Sequence, residues 1–326
     1  MRIRIRRIFL SLVMAAGGLW MATPAATAEA PPDVASYEIE AAYEPADHLI
    51  TARETAIYVN LTDTAIPDLV LHLYLNAFSS SDTLWMQEAG PVHRGYAYSP
   101  AHPGWSRIDE ILLEDGTVLD WAPIDDDATL VRVDLPQPVQ PGDSVRVEIT
   151  FQAQLPRVFA RTGWADAPGA GAPAGGRGDF VMVGQWFPKF GVWEEGGWNA
   201  YAFHANSEFY ADFGSYDVAL RLPEGWRAGA TGVPVGELIA NDDGTETHTF
   251  HADHVIDFAW SASPRFRTLT EPTGGVEVTV FYLPGQRSEA RRVMAAALQG
   301  LALYQQWYGA YGRGLYDALT VIVVPP

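Results

Sequence analysis

The feature that most constrains this chain is the stretch from Gly184 to Leu222, GQWFPKFGVWEEGGWNAYAFHANSEFYADFGSYDVALRL. Its aromatic residues, Trp186, Phe187, Phe190, Trp193, Trp198, Tyr201, Phe203, Phe209, Tyr210, Phe213 and Tyr216, come at short intervals. Aromatic side chains bury large areas with few rotatable bonds, so such a segment forms a rigid, packed surface. Polar residues are set among them: Lys189, Glu194, Glu195, Asn199, His204, Asn206, Glu208, Asp212 and Asp217. Two readings are open. One is an aromatic β core, the other a cleft wall carrying a few placed polar groups.

The flanking sequence alternates with a period of two, the signature of strands. Ser36–Tyr43 sets Tyr37, Ile39 and Ala41 against Glu38 and Glu40, and Glu44–Asp47 turns it into a second strand over Leu49–Asn60. Leu69–Leu75 sets four leucines against His72 and Tyr74. Residues 83–107 read as a long loop with embedded aromatics. Further strands are expected at Ile108–Leu113, Thr117–Trp121, Thr129–Leu135, Ser144–Phe151, Asp179–Gln185, Ser215–Leu222, Glu246–His251, Ile256–Ala262 and Val276–Tyr282. Glu114-Asp115-Gly116 and Pro141-Gly142-Asp143 punctuate them as turns. Gly163–Gly178 is a low-complexity Gly/Ala/Pro stretch that reads as a surface loop. Its closing Arg177-Gly178-Asp179 is too short a match to carry meaning. Many short strands without helical periodicity predict a mainly β protein, a sandwich or saddle.

The pattern changes near the C-terminus. Met294, Leu298, Leu301, Tyr304 and Tyr308 have helical spacing within Gln286–Tyr308, with Ser288 as N-cap and Gly309 as C-cap. Ala318–Val324, ALTVIVV, is a continuous apolar run of the kind buried on both faces of a sheet. One helix cannot cover both faces, so the run is expected to belong to an α/β domain of which only the first helix and strand are present.

At the N-terminus, Met1–Arg7 is basic, Ile8–Ala22 is apolar, and Ala26-Thr27-Ala28 fits a small-x-small cleavage site. This is a signal peptide, with cutting expected before Glu29, and it predicts export to a periplasm or beyond. An uncleaved anchor is the rival. No other run reaches the roughly 18 apolar residues of a membrane span. The formal net charge of −19 argues against a nucleic acid partner, because such a surface repels phosphates. Cysteine is absent, which excludes disulfides, thiolate metal sites and a cysteine nucleophile.

Zinc hydrolysis needs three protein ligands and an open position. The histidines are His48, His72, His93, His102, His204, His248, His251 and His254, and no His-Glu-x-x-His occurs among them. His204 and Glu208 are four apart but in a strand-like context. His248, His251 and His254 are three apart, which alternates faces on a strand. Glu194-Glu195-Gly196-Gly197 reads as a solvated turn rather than an acid–base pair. Ser207 is not in a nucleophile elbow, no phosphate-binding loop is present, and Asn60-Leu61-Thr62 is a sequon relevant only in a eukaryotic secretory host. No residue of the chain is assigned a catalytic or metal-binding role.

The order W-F-P-x-x-x-V-W-x-x-G-G-W-N from Trp186, F-H-x-N-S-E-F-Y-A-D-F-x-x-Y-D-V from Phe203 and L-P-x-G-W-x-x-x-A-T-G from Leu222 resembles the N-terminal domain of the gluzincin zinc aminopeptidases, peptidase family M-one, in a bacterial branch. LHLYLNAF at Leu71–Phe78 and DFAWSASP at Asp257–Pro264 extend the resemblance across most of the chain. After the signal peptide at 1–28, it implies an aminopeptidase-type N-terminal β domain at 29–272 and the start of a thermolysin-like catalytic domain at 273–326. It implies zinc as cofactor and peptides as substrates of a longer parent, with the Gly-x-Met-Glu and His-Glu-x-x-His motifs beyond residue 326. The 326 residues alone are expected to be inactive. In the family this domain lends a Gln or Glu that helps bind the substrate's free amine. The matching place here falls in the Gly/Ala/Pro stretch, so Gln185 and Trp186 are the nearest candidates. The alternative is a β-sandwich that binds peptide or glycan without catalysis.

Overall fold

A computed structural model describes residues 32–167, 178–207, 209–314 and 316–325. The expected signal peptide and its cleavage site, Glu208, and residues 168–177 of the Gly/Ala/Pro stretch lie outside the described residues. In chain order the longer elements begin with β1 (Ala35–Glu44), β2 (Leu49–Val59), β3 (Ile66–His72), α1 (Leu84–Ala89), β4 (Trp105–Leu113), β5 (Leu130–Val139) and β6 (Ser144–Gln154). There follow β7 (Phe180–Val183), β8 (Gly214–Pro223), β9 (Arg227–Ala230), β10 (Thr245–Val255) and β11 (Trp260–Ser263). The chain closes with β12 (Arg267–Thr273), β13 (Val276–Tyr282), α2 (Arg287–Tyr308) and β14 (Ala318–Ile322).

The fold is mainly β. The largest sheet runs β10–β8–β1–β2–β6–β4, antiparallel except for the parallel pair β1–β8. The alternation of β1 works as read: Tyr37, Ile39, Ala41 and Tyr43 are buried and Glu38 and Glu40 exposed. A smaller sheet, with β3 and β5 paired at its centre, shares one core with it through Ile39, Ile50, Leu69, Leu71, Val131, Val133 and Ile149. A third sheet runs from the short strand Gly163–Ala165 through β7 and β11 to β9. The start of the Gly/Ala/Pro stretch is therefore a strand with Trp164 buried, not loop, because its backbone pairs with Phe180–Met182.

Other expectations shift. After His72 the chain leaves the strand for a 3-10 turn, Tyr74–Phe78, and every residue from Leu69 to Phe78 is buried, His72 and Tyr74 included. The 83–107 segment holds α1, capped by the Thr83 hydroxyl, and a small hairpin pairing Val92–His93 with Tyr96–Ala97. Instead of a strand over Thr117–Trp121 there is a short one at Trp121–Pro123. Asn60 of the sequon is buried, donating to the Thr64 and Val139 carbonyls at 2.7 and 2.9 Å, so its amide is committed to the fold.

β12, β13 and β14 form a separate sheet, with β13 and β14 parallel. α2 packs on it through Ala290, Met294 and Leu301 against Val278, Val280 and Tyr282. Gly309 ends the helix as expected, with φ 95°. The N-cap is Gln286 rather than Ser288. The Gln286 side chain accepts from the Leu283 amide and donates to the Val324 carbonyl, both at 2.9 Å, tying the helix start to the C-terminal strand. β14 is half-buried along its length rather than buried on both faces.

One buried acid stands out. Glu54 points inward from β2 between Ile39 and Ile149, fully buried, and neither carboxyl oxygen has a hydrogen-bond partner. Burial raises its pKa well above the usual carboxylate range, so the folded state keeps it protonated where the unfolded state ionises. Stability therefore falls as pH rises from the unfolded pKa toward the folded one. Glu54→Gln removes that slope. Its stability advantage over the native chain is expected to grow by about 1.4 kcal/mol per pH unit above pH 4.5, read from denaturant melts at stepped pH. A constant difference across pH would contradict it.

Gly229 in β9 marks the closest approach to the terminal sheet. A Cβ there would lie 2.9 Å from the Phe281 ring and 3.0 Å from the Ile322 side chain. Gly229→Leu is expected to cost about 1–3 kcal/mol by overpacking. The check is a lower Tm together with faster proteolysis between Ser263 and Val276; an unchanged Tm would mean that the two sheets do not meet there.

Candidate functional site

The aromatic segment splits between the two readings. Trp186, Phe187 and Phe190 are core, whereas Tyr201, Tyr210 and Phe213 are exposed. Among the core aromatics lies a buried charge. Lys189, 2% exposed, pairs with His72 across the sheet. Its Nζ donates to Gln185 Oε1 at 3.2 Å and faces Asp257 Oδ1 at 3.5 Å. It also lies 5.6 Å from the Tyr74 ring centroid and 6.0 Å from that of Phe209. The Gln185 amide in turn donates to Asp257, which also accepts from the Phe258 amide at 2.9 Å. Burial pushes the lysine pKa down, and the Asp257 carboxylate opposes it. His72 stacks on Tyr74 at 4.5 Å; burial, then Lys189, lowers it to about 3, so it stays neutral.

This cluster fixes Gln185 and Trp186, the two candidates for substrate binding. Gln185, held at φ 56°, bridges Lys189 and Asp257. Trp186 has no exposed surface, and its Nε1 donates to the Phe258 carbonyl at 3.1 Å. Glu195 and Gly196 both take positive φ between the paired Glu194 and Gly197, a tight hairpin turn, as the Glu-Glu-Gly-Gly run predicts.

Beside the cluster opens a two-lobed cleft, with lobes of about 460 and 260 Å³ that share Arg94, Ala160 and Arg161. Both arginines sit on turns of the same kind. Arg94 and Gly95 have φ 51° and 89° between the paired His93 and Tyr96. Ala160 and Arg161 have φ 47° and 75° between Phe159 and Thr162, which exchange backbone hydrogen bonds at 2.9 and 3.1 Å. Two positive φ angles in a row define the tight turn that matches strand twist, and both turns project an arginine from their tips. The larger lobe is lined also by Tyr96, Arg157 and Met182, and by Val324 and Pro325, whose carbonyl accepts from the Tyr96 hydroxyl at 3.2 Å. The smaller is lined by Trp85, His93 and Phe209, the last being the ring that faces Lys189. Sequence reasoning misses these arginines. The Arg94-Gly95 dipeptide inside 83–107 is the available signal, hidden when that segment is read as one loop.

The histidines do not gather. His251 is held between Asp217 at 2.7 Å and Asp253 at 3.0 Å, His254 meets Asp33 at 2.9 Å, and His204 meets Glu88 at 2.7 Å. His248 points elsewhere, with a buried Nε2 lacking a partner. Among the described residues no group of three or more His, Cys, Asp or Glu could hold a metal ion, so the donors present do not fit a zinc centre.

The geometry predicts that Lys189→Met, which leaves Asp257 without its cation, costs about 1.5–3 kcal/mol of stability, measured by denaturant unfolding. An unchanged midpoint would show that Gln185 and solvent satisfy Asp257 alone.

Neither a known family profile nor a curated protein matches the sequence. Solved structures do match in fold. A two-domain M1 zinc metallopeptidase mutant bound to L-arginine aligns with TM-score 0.56 and 16% identity over 90% of this chain. An M1 zinc metallopeptidase from Deinococcus radiodurans aligns with TM-score 0.54 and 15% identity, again over 90%. A mutant of the Deinococcus radiodurans protein bound to a Tyr-Ser-Ala substrate gives 0.53 and 16%. The aligned part is 57% of the first structure and 56% of the second, so the chain spans little more than half their length. At this identity the likeness is one of architecture: the chain resembles, in fold, the N-terminal part of the M1 zinc metallopeptidases.

Proposed function

We propose that this chain is the exported, non-catalytic β half of a zinc metallopeptidase of the aminopeptidase type. The observation that carries the reading is the fold likeness to M1 zinc metallopeptidases over 90% of the chain. The 326 residues contain no His-Glu-x-x-His, and no described cluster suits zinc. The zinc, the water that it activates and the general base then come from a catalytic domain outside these residues, and peptides are the substrates of the whole. What these residues contribute is shape: a rigid β body, a terminal sheet packed against it at Gly229, and a cleft lined by the turns that carry Arg94 and Arg161. The basic, apolar and small-residue order of the first 28 residues supports export.

Two measurements test this. The purified 326-residue chain is expected to hold no stoichiometric zinc by elemental mass spectrometry and to release no product from alanyl or leucyl p-nitroanilide. One zinc per chain, with activity lost to a chelator, would overturn the scaffold reading. N-terminal sequencing of the protein from its host is expected to begin at Glu29; an intact Met1 in protein recovered from the cytoplasmic fraction would overturn export.

A further inference from the structure

The side chains of Arg94 and Arg161 have no role in the fold that packing explains. Arg94 and Arg161 are both exposed, and neither forms an ion pair among the described residues. Both nevertheless line both lobes of the cleft, and both bear on His93, whose pKa is lowered by burial and then by the two guanidinium groups. Three arginines, Arg94, Arg157 and Arg161, therefore line one concavity of a chain whose net charge is −19. Among the described residues the carboxylate that lines the cleft is Asp166, and it is already engaged: Arg157 lies 3.7 Å away, and the Gly178 amide donates to it at 3.0 Å. Arg157 itself is steadied over the Trp164 ring at 5.2 Å. Among the described residues that leaves Arg94 and Arg161 as donors without an acceptor, beside an apolar wall that includes Tyr96 and Met182.

We infer that this cleft binds the carboxylate of a peptide, with Arg94 and Arg161 donating to its oxygens and the apolar lobe taking the neighbouring side chains. A guanidinium presents paired N–H donors that match a carboxylate. The apolar wall favours an organic carboxylate over a hydrated inorganic anion. The carboxylate is either a peptide C-terminus or an acidic side chain. That the carrier is a peptide rests on the metallopeptidase reading; that the bound group is a carboxylate rests on the arginines.

Calorimetric titration of the 326-residue chain with three acetylated tripeptides separates the possibilities. Ac-Ala-Ala-Ala carries a free C-terminus, Ac-Ala-Asp-Ala-amide a side-chain carboxylate, and Ac-Ala-Ala-Ala-amide neither. At least one carboxylated peptide is expected to bind about tenfold or more tightly than the uncharged amide, and which one does so identifies the source. Arg94→Gln and Arg161→Gln are each expected to weaken that peptide about tenfold. Raising NaCl to about 1 M should weaken it further, because screening then acts within about 3 Å. Circular dichroism checks that the variants fold, and the amide comparison on the native chain decides the matter if they do not. Equal binding of all three peptides, no binding up to about 10 mM, or binding indifferent to both folded variants overturns the site. The acetylated probes have no free amine, so this result is independent of zinc and of hydrolysis by any longer protein.

Discussion

The structure depends on the parallel pairing of β1 with β8. It lays Ala35–Ala42 beside Gly214–Arg221, segments far apart in sequence, in the middle of the largest sheet. Gly214 makes it possible, since a Cβ there would stand 2.5 Å from the Ala35 carbonyl oxygen. Once made, the pairing stacks Tyr37 on Tyr216 at 4.8 Å and brings both rings against Phe187 at 5.5 and 5.9 Å. The Tyr37 hydroxyl also accepts from the Phe190 amide at 3.2 Å. The chain between the two strands must cross the core, and residues 186–190 do so, which is why that stretch is so aromatic. Large rings fill the space between two sheets while losing little rotamer freedom.

How much of this is legible in the sequence follows from what period-two alternation encodes. It gives face and existence, so β1, β2, β6 and β13 are readable nearly to their ends. It does not distinguish a strand from a tight turn of buried residues, so Leu73–Leu75 reads as a continuation of β3 although Tyr74–Phe78 is a 3-10 turn. Nor does it price a polar residue in an inward position. Glu54 follows the inward parity of Ile50, Ala56 and Tyr58, and nothing in the alternation says that its carboxyl will find no partner. The shift of the helix cap from Ser288 to Gln286 has a tertiary cause, because Gln286 reaches a carbonyl 38 residues away.

The site is less legible than the fold. Gln185 and Trp186 stand out only through a resemblance; Trp186 is buried and Gln185 half-buried, and neither lines the cleft. The arginines come from two turns whose character depends on consecutive positive φ angles. Arg94-Gly95 hints at one, but Ala160-Arg161 contains no glycine and gives no local sign of it. Non-glycine residues adopt that region at a cost and hold it where flanking strands impose it. Val158 accordingly donates its amide to the Trp164 carbonyl at 2.9 Å, and Trp164 returns the bond to Pro156 at the same length.

Electrostatics separates the two polar regions. Lys189 is buried among aromatic rings and its charge is met by the half-buried Gln185 and Asp257, while the neighbouring His72 is held neutral by burial. The cleft has the opposite character: Arg94 and Arg161 are solvated, so they cost little to hold apart, and among the described residues neither has an ion pair that a carboxylate would first have to break. Phe209 belongs to both, with one face toward the Lys189 ammonium and the ring lining the smaller lobe. The Lys189 cluster thus sets the position of the wall against which the cleft is built, and the division of labour is physical: the ammonium that fixes the wall is buried and paired, while Arg94 and Arg161 are exposed and have no ion pair among the described residues.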